Sequence, residues 1–294
     1  MRAVVIHEGG LRIEERADPE PAEGRLLVRV RAAGVNNADL AQRAGRYPAP
    51  PGAPQDVPGL ECAGETDDGR RVMVLLPGGG QAEAVAVDAR HVLDVPADMT
   101  WEQAGGFMEA FATAHDALFT QAGLQAGERL LVTGAAGGVG VAAVQVGITA
   151  GAQVTASARH HGDELRALGA TLEVEGPYDV ILELVGGDGL SRALELLGAG
   201  GRISVIGTAA GARAEIDFGL LMRKRGRIHG STLRSRTDDE KAEVVRRLGE
   251  HALPLLERGE LRVPIEATFP LERAEDAYAR FAAGGKLGKI VLVT

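Results

Sequence analysis

Arg129-Leu-Leu-Val-Thr-Gly-Ala-Ala-Gly-Gly-Val-Gly-Val-Ala-Ala-Val-Gln145 is the stretch on which the reading of this chain turns. Five residues suited to a buried strand run into a tract of small ones, and a helix opens at once. Glycine at 134 relaxes the turn, although Ala135 stands where a strict Gly-x-Gly-x-x-Gly pattern has its first glycine. Gly137 lets a backbone come close to a pyrophosphate, and Gly140 lets the helix pack tightly on its strand. Free amides at the helix start, with the helix dipole behind them, favour phosphate there. Ala135, Gly137, Gly138, Val139 and Gly140 are thus the expected contacts of a dinucleotide, the alternative being a purely structural turn.

The next strand decides which dinucleotide. An acid at its end would hold a ribose 2′-hydroxyl and repel a 2′-phosphate. Here the segment reads Val154-Thr-Ala-Ser-Ala-Arg-His-His161, with no acid before Asp163. Ser157, Arg159 and His160 offer a hydroxyl, a guanidinium and an imidazole, and the planar guanidinium suits phosphate. NADPH is the expected cofactor, unless Arg159 and the histidines merely sit on a solvated loop. Val185, Gly186 and Gly207 end later strands, where ligands of parallel sheets collect. Their glycines leave room for a nicotinamide, or serve ordinary strand-to-helix turns.

Around this centre, strands at 129–133, 153–158, 179–185 and 202–207, with a possible fifth at 227–231, alternate with helices at 139–150, 163–168 and 189–197. Near-continuous apolar strands between helices predict a parallel sheet covered on both faces. Residues 1–100 differ in character. Short strands at 2–6, 26–31, 71–76 and 84–87 are separated by Pro- and Gly-rich connections, the mark of an irregular β-rich domain. The tail carries a helix to about residue 258, a strand at 265–269, a helix from Leu271 and a strand at 289–293. The pattern alone does not say to which domain it belongs.

The 294 residues suffice for two domains. A net charge of −9 argues against nucleic acid or an anionic membrane as partner. The single cysteine, Cys62, excludes a disulfide framework or a Cys-rich zinc site and reads as a small buried residue. No leader-like segment and no apolar stretch long enough to span a membrane is present, so a cytoplasmic protein is expected.

Several short motifs, in order, resemble the medium-chain dehydrogenase/reductase superfamily and, within it, the zinc-free quinone oxidoreductases. They are Gly34-Val-Asn-Asn-Ala-Asp-Leu40, Gly45-Arg-Tyr-Pro-Ala-Pro-Pro-Gly52, Gly59-Leu-Glu-Cys-Ala-Gly64, Leu76-Pro-Gly-Gly-Gly80, Ala135-Ala-Gly-Gly-Val-Gly140, Gly230-Ser-Thr-Leu-Arg-Ser-Arg236 and Gly288-Lys-Ile-Val-Leu292. Pairing the Gly45–Gly52 tract with Leu-Arg-Ser-Arg is similar to the stress-inducible, NADPH-dependent subgroup. The resemblance implies a doubly wound Rossmann-type domain (113–241) inserted in a GroES-like catalytic domain (1–112 and 242–294), with the active site in the cleft between them. It also implies a homodimer. Zinc relatives carry a cysteine in the turn matching Gly34–Asp39 and a histidine in the one matching Gly59–Glu61. This chain has Asn36, Asn37 and Leu60 there, so no metal is expected.

By the same match, Tyr47 lies in the substrate pocket and Asn36 near the reacting end. Tyr47 either donates a hydrogen bond to an acceptor oxygen or anchors a proline-rich loop. Asn36 equally suits an N-cap of the helix that follows. Thr113 borders the cofactor or is a helix-interior residue; Arg234 and Arg236 reach phosphate or ribose, or stay on the surface. Lys289 closes over the cofactor or is a solvated strand-edge lysine. His7 and His91 have no assigned role. The expected reaction is hydride transfer to a quinone or similar conjugated carbonyl, with an enoyl or alkenal reductase, or a low-turnover NADPH-binding structural or redox-sensing protein, as alternatives. One departure stands out: residues 170–179 are short where relatives carry a further strand and helix.

Overall fold

The computed structural model describes residues 1–8 and 10–294. The chain forms two units, one of Met1–Ala112 with Leu233–Thr294 and the other of Thr113–Thr232. The first unit resumes at Leu233, not at residue 242 as placed from the sequence. The reason is local: the last parallel strand stops at Gly230, and the helix after it packs against elements of the first unit.

The first unit opens with β1 (Arg2–His7) and β2 (Gly10–Glu15), an antiparallel pair. Then come β3 (Arg25–Val35), α1 (Asn37–Arg43), β4 (Glu61–Thr66), β5 (Arg71–Leu75), β6 (Ala84–Asp88), β7 (Val92–Asp94), α2 (Trp101–Gly105) and α3 (Met108–His115). The second unit holds β8 (Arg129–Thr133), α4 (Gly138–Thr149), β9 (Gln153–Ser157), α5 (Gly162–Ala167), β10 (Tyr178–Glu183), α6 (Asp188–Leu196), β11 (Leu197–Val205), α7 (Phe218–Lys224) and β12 (Arg227–Gly230). The tail adds α8 (Asp238–Glu257), β13 (Ile265–Pro270), α9 (Ala274–Ala282) and β14 (Lys289–Val293) to the first unit.

The main sheet of the first unit runs β13-β14-β3-β4-β5-β7, with β6 also on β3. The tail therefore returns to the N-terminal strands: β14 lies antiparallel to β3, Ile290 opposite Val35. Valines of β3, β5 and β6 close one core around Cys62, and Val4, Val35, Tyr278, Ile290 and Leu292 close another. β4 was not expected, since Glu-Cys-Ala-Gly-Glu-Thr lacks an apolar alternation. It is nevertheless sealed, and a side chain at Gly64 would lie 2.0 Å from the Arg29 carbonyl.

In the second unit five parallel strands run β12-β11-β10-β8-β9. Leu130, Leu131 and Val132 on β8, and Val180, Ile181 and Leu182 on β10, are at most 2% exposed. Because consecutive strand residues face opposite sides, both faces of the sheet are covered. Beyond β9 the short segment contributes a single bridge, Thr171 to Thr155, in place of a further strand.

Candidate active site

A glycine-rich cradle is built at the ends of β8 and β9. Gly134 turns the chain with φ +60°, a left-handed value that suits glycine. Ala135 N–H then donates to Ser157 O at 3.1 Å, tying the turn to the end of β9. Gly137 caps α4, and Val141 N–H is bonded to Gly137 O at 2.8 Å. The amides of Gly138, Val139 and Gly140 precede that bond and lack intrahelical carbonyls. A side chain at Gly137 would meet only Gly134 O, at 3.5 Å, whereas one at Gly140 would lie 2.5 Å from Gly134 O and 2.6 Å from Ala135 Cα. The two glycines have separate jobs: Gly137 keeps the approach open, and Gly140 lets helix and turn touch. This cradle fits a dinucleotide pyrophosphate.

Ser157 is partly buried, while Arg159 and His160 stand exposed just beyond β9. The nearest acids pair elsewhere, Asp163 with Arg166 and Glu164 with His161. At the end of β10 a residue absent from the sequence reading sets the geometry. Glu183 is fully buried, and its Oε1 accepts from Val185 N–H and Gly186 N–H, both at 2.8 Å. Backbone crowding requires glycine here. A side chain at Gly186 would lie 2.6 Å from Gly211 O, and one at Gly207 only 2.2 Å from Leu184 O. Thr113 is a partly buried residue of α3.

The first unit brings together Asn36, Glu61, Glu109 and Lys289. Glu61 lies on β4 and Lys289 on β14, on either side of β3. Gly34 of β3 separates them, and any side chain there would come within 2.2 Å of Glu61 Oε1. Through that gap Lys289 Nζ donates to Glu61 Oε1 at 2.5 Å and to Asn36 Oδ1 at 2.6 Å. Asn36 Nδ2 donates to the same Glu61 oxygen at 2.9 Å, and Glu109 N–H takes the other at 2.8 Å. Lys289 is thus neither at a strand edge nor solvated, because β13 covers the far side of β14. Its ammonium is held inside the first unit, which overturns the solvated alternative.

Asn36 does sit at the N-cap of α1, but its side-chain amide is aimed at Lys289 and Glu61. Asp39 serves the cap: one carboxyl oxygen accepts from Asn36 N–H at 2.8 Å and the other from Gly59 N–H at 2.9 Å. Burial pushes the Asp39 carboxyl up to about 6, against those two hydrogen bonds. Glu109 is pushed further, to about 8, first by burial and then by the Glu61 carboxylate beside it.

Arg234 is buried and works on the loop that carries Tyr47. It donates to Pro77 O at 2.8 Å, Tyr47 O at 2.9 Å and Gln42 Oε1 at 2.5 Å. Its guanidinium carbon also lies 5.1 Å from the centre of the Tyr47 ring. These contacts fix the loop, so Arg234 is a buried clamp of the first unit and does not stay on the surface, one of the two places the sequence allows it. Arg236 is partly buried. His91 is buried and bonded to Asp238 O at 2.8 Å. Glu61, Glu109, Asp39 and Glu183 were all missed as site residues. The available signal was an acid in a run of small and apolar residues, as in Gly105-Gly-Phe-Met-Glu-Ala-Phe-Ala112.

Among the described residues no three His, Cys, Asp or Glu side chains are grouped to hold a metal, and no helix is long and apolar enough to cross a membrane. Residues 151–292 match the zinc-binding dehydrogenase family, and residues 22–97 the alcohol dehydrogenase GroES-like domain. The chain is 31% identical to a quinone oxidoreductase of Lama guanicoe, covering 100% of this chain and 97% of that protein. It is 30% identical to the human synaptic vesicle membrane protein VAT-1 homolog, over 94% of this chain and 81% of the relative. Among solved structures, the quinone oxidoreductase of Thermus thermophilus, described also in its complex with NADPH, superposes with a TM-score of 0.87. That match has 34% identity and covers 100% of both chains.

Proposed function

The chain belongs to the medium-chain dehydrogenase/reductase superfamily, with quinone oxidoreductases among its relatives, and from that premise we propose that it is a zinc-independent, NADPH-dependent reductase of quinones or similarly conjugated carbonyls. The observation that carries the reading is the Lys289 ammonium. It lies where the Asn36 turn and β4 converge, held by Asn36 Oδ1 and Glu61 Oε1. The two segments that hold zinc ligands in the metal-dependent relatives here grip a lysine. Without a Lewis acid to polarise it, the acceptor must arrive already electron-poor, as a quinone does.

When bound, the reduced nicotinamide supplies a hydride. The protein's part is binding and orientation. Gly138, Val139 and Gly140 amides hold the pyrophosphate, Ser157 and Arg159 take the 2′-phosphate, and the turn fixed by Glu183 receives the nicotinamide end. Tyr47, on the loop clamped by Arg234, donates to an acceptor oxygen as charge develops there. Asn36 acts at one remove, by holding Lys289 and Glu61.

The test is direct. Protein mixed with NADPH and 1,2-naphthoquinone should consume the nicotinamide absorbance, and chelator treatment should leave the rate unchanged. Tight NADPH binding with no oxidation across a panel of quinones and enones would refute the assignment. Loss of activity with a chelator, restored by a metal, would refute its zinc-independent part.

A further inference from the structure

Hydride transfer alone leaves a quinone acceptor as an oxyanion, which must gain a proton before it leaves as a neutral hydroquinone. The site described so far names no source for that proton. Glu109 differs from its neighbours in a way that bears on this. It opens α3 between Phe107, Met108, Ala110 and Phe111, each at most 2% exposed, yet its own side chain is partly exposed. Its backbone is pinned, N–H to Glu61 Oε2 at 2.8 Å. Among the described residues its carboxyl makes no hydrogen bond and no ion pair, whereas Glu61 uses both oxygens and Asp39 both of its own.

We propose that Glu109 is the proton donor of this reaction, its carboxyl passing a proton to the acceptor oxygen on which charge collects. The inference rests on the reductase reading above. The balance is simple. The acceptor takes a hydride, with its electron pair, from the reduced nicotinamide. The Glu109 O–H bond breaks, an O–H bond forms on the acceptor, and the carboxylate left behind recovers its proton from solvent.

The surroundings keep the acid charged with its proton near neutral pH. Glu61 on β4 and Asp39 on α1 disfavour a further negative charge, and Lys289 on β14 and Arg234 favour it more weakly than burial opposes it. Lys241 on α8 also faces Glu109. The carboxyl consequently sits at about 8, where a general acid is both protonated and able to give its proton up. The Lys289–Glu61–Asn36 group holds the backbone of the acid in place and is a positioning assembly.

The experiment compares the full chain with Glu109→Gln and Glu109→Asp, using NADPH and 1,2-naphthoquinone from pH 6 to 10. Glutamine has the volume and neutrality of the protonated acid, so the fold should tolerate it. The expected result is a kcat lowered about 100-fold by Glu109→Gln, with the alkaline limb near pH 8 gone. Glu109→Asp should recover part of the rate and the limb. Independently of turnover, the cofactor-free protein should show a protonated-carboxyl infrared band that bleaches near pH 8 and is missing in Glu109→Gln. An unchanged kcat and pH profile in Glu109→Gln, or no carboxyl titrating there, would overturn the proposal and leave water as the donor. If the unaltered protein reduces no acceptor while the band titrates as expected, it is the reductase reading that fails, and the donor role falls with it.

Discussion

Lys289 Nζ meets Glu61 Oε1 at 2.5 Å across a strand that carries no side chain at the point of contact, Gly34 of β3. Side-chain exposure is 5% for the lysine and 0% for the glutamate, so neither charge is eased by water. Taking one charge away strands the other in a low-dielectric interior. Lys289→Met should therefore lower stability by about 3–5 kcal/mol. Lys289→Met with Glu61→Gln should lose less than the single change, because no uncompensated charge remains. Urea unfolding of the three proteins measures this, and a double variant as weak as the single one argues against the ion pair as the source.

How much of this was open to the sequence differs by layer. The parallel unit was legible because its strands have apolar centres, Leu130–Val132 in β8 and Val180–Leu182 in β10, and because α4 and α5 begin at glycines, so β8, β9, β10 and α4 fall within a few residues of where the pattern put them. β11 starts earlier than expected, at Leu197 instead of Arg202, since Gly198-Ala-Gly-Gly201 reads as a turn. In the structure a side chain at Gly198 would lie 3.0 Å from the β10 carbonyl of Tyr178, and one at Gly201 3.1 Å from that of Asp179. β4 was invisible because one of its acids, Glu61, points inward into the site where an apolar residue is expected, while the other, Glu65, pairs with Arg31. The same fact hid the site. Asn36 and Lys289 were picked out by family match, but their meeting depends on the order β14-β3-β4, which no local pattern encodes.

The glycines of the cradle predict two different kinds of failure. Gly140→Ala forces a methyl to within 2.5 Å of Gly134 O, with backbone on both sides. It should cost about 1–3 kcal/mol of stability through overpacking, besides its effect on the cofactor. Gly137→Ala meets nothing closer than 3.5 Å, so stability should hold while NADPH binding weakens. Thermal unfolding with and without NADPH separates the two. Equal loss of stability in both variants would mean that Gly137 is a structural glycine.

On the proposed reading, Arg159 sets the cofactor preference. It is exposed just past β9, and the acids after it are paired with Arg166 and His161. Arg159→Glu places a negative charge where a 2′-phosphate is proposed to lie and leaves the rest of the cradle intact. The Kd for NADPH should rise about tenfold or more, equivalent to roughly 1.4 kcal/mol. The Kd for NADH should change little. Equal changes for both cofactors would remove Arg159 from the phosphate site.

The raised carboxyl of Glu109 has a consequence for stability that needs neither cofactor nor acceptor. Its ordinary value is 4.5 and the folded value about 8, so the folded protein holds a proton that the unfolded chain releases. Below pH 4.5 both states are protonated and the difference vanishes. As pH rises toward 8 the unfolded chain is favoured by losing its proton, and stability falls until the folded group ionises as well. Asp39 follows the same sign over a lower window, from 3.8 to about 6. A comparison between pH 6.5 and 8 isolates Glu109 from it. Urea midpoints should drop across that interval in the unaltered protein and stay level in Glu109→Gln. A midpoint drop of the same size in both proteins would place the responsible proton on another group.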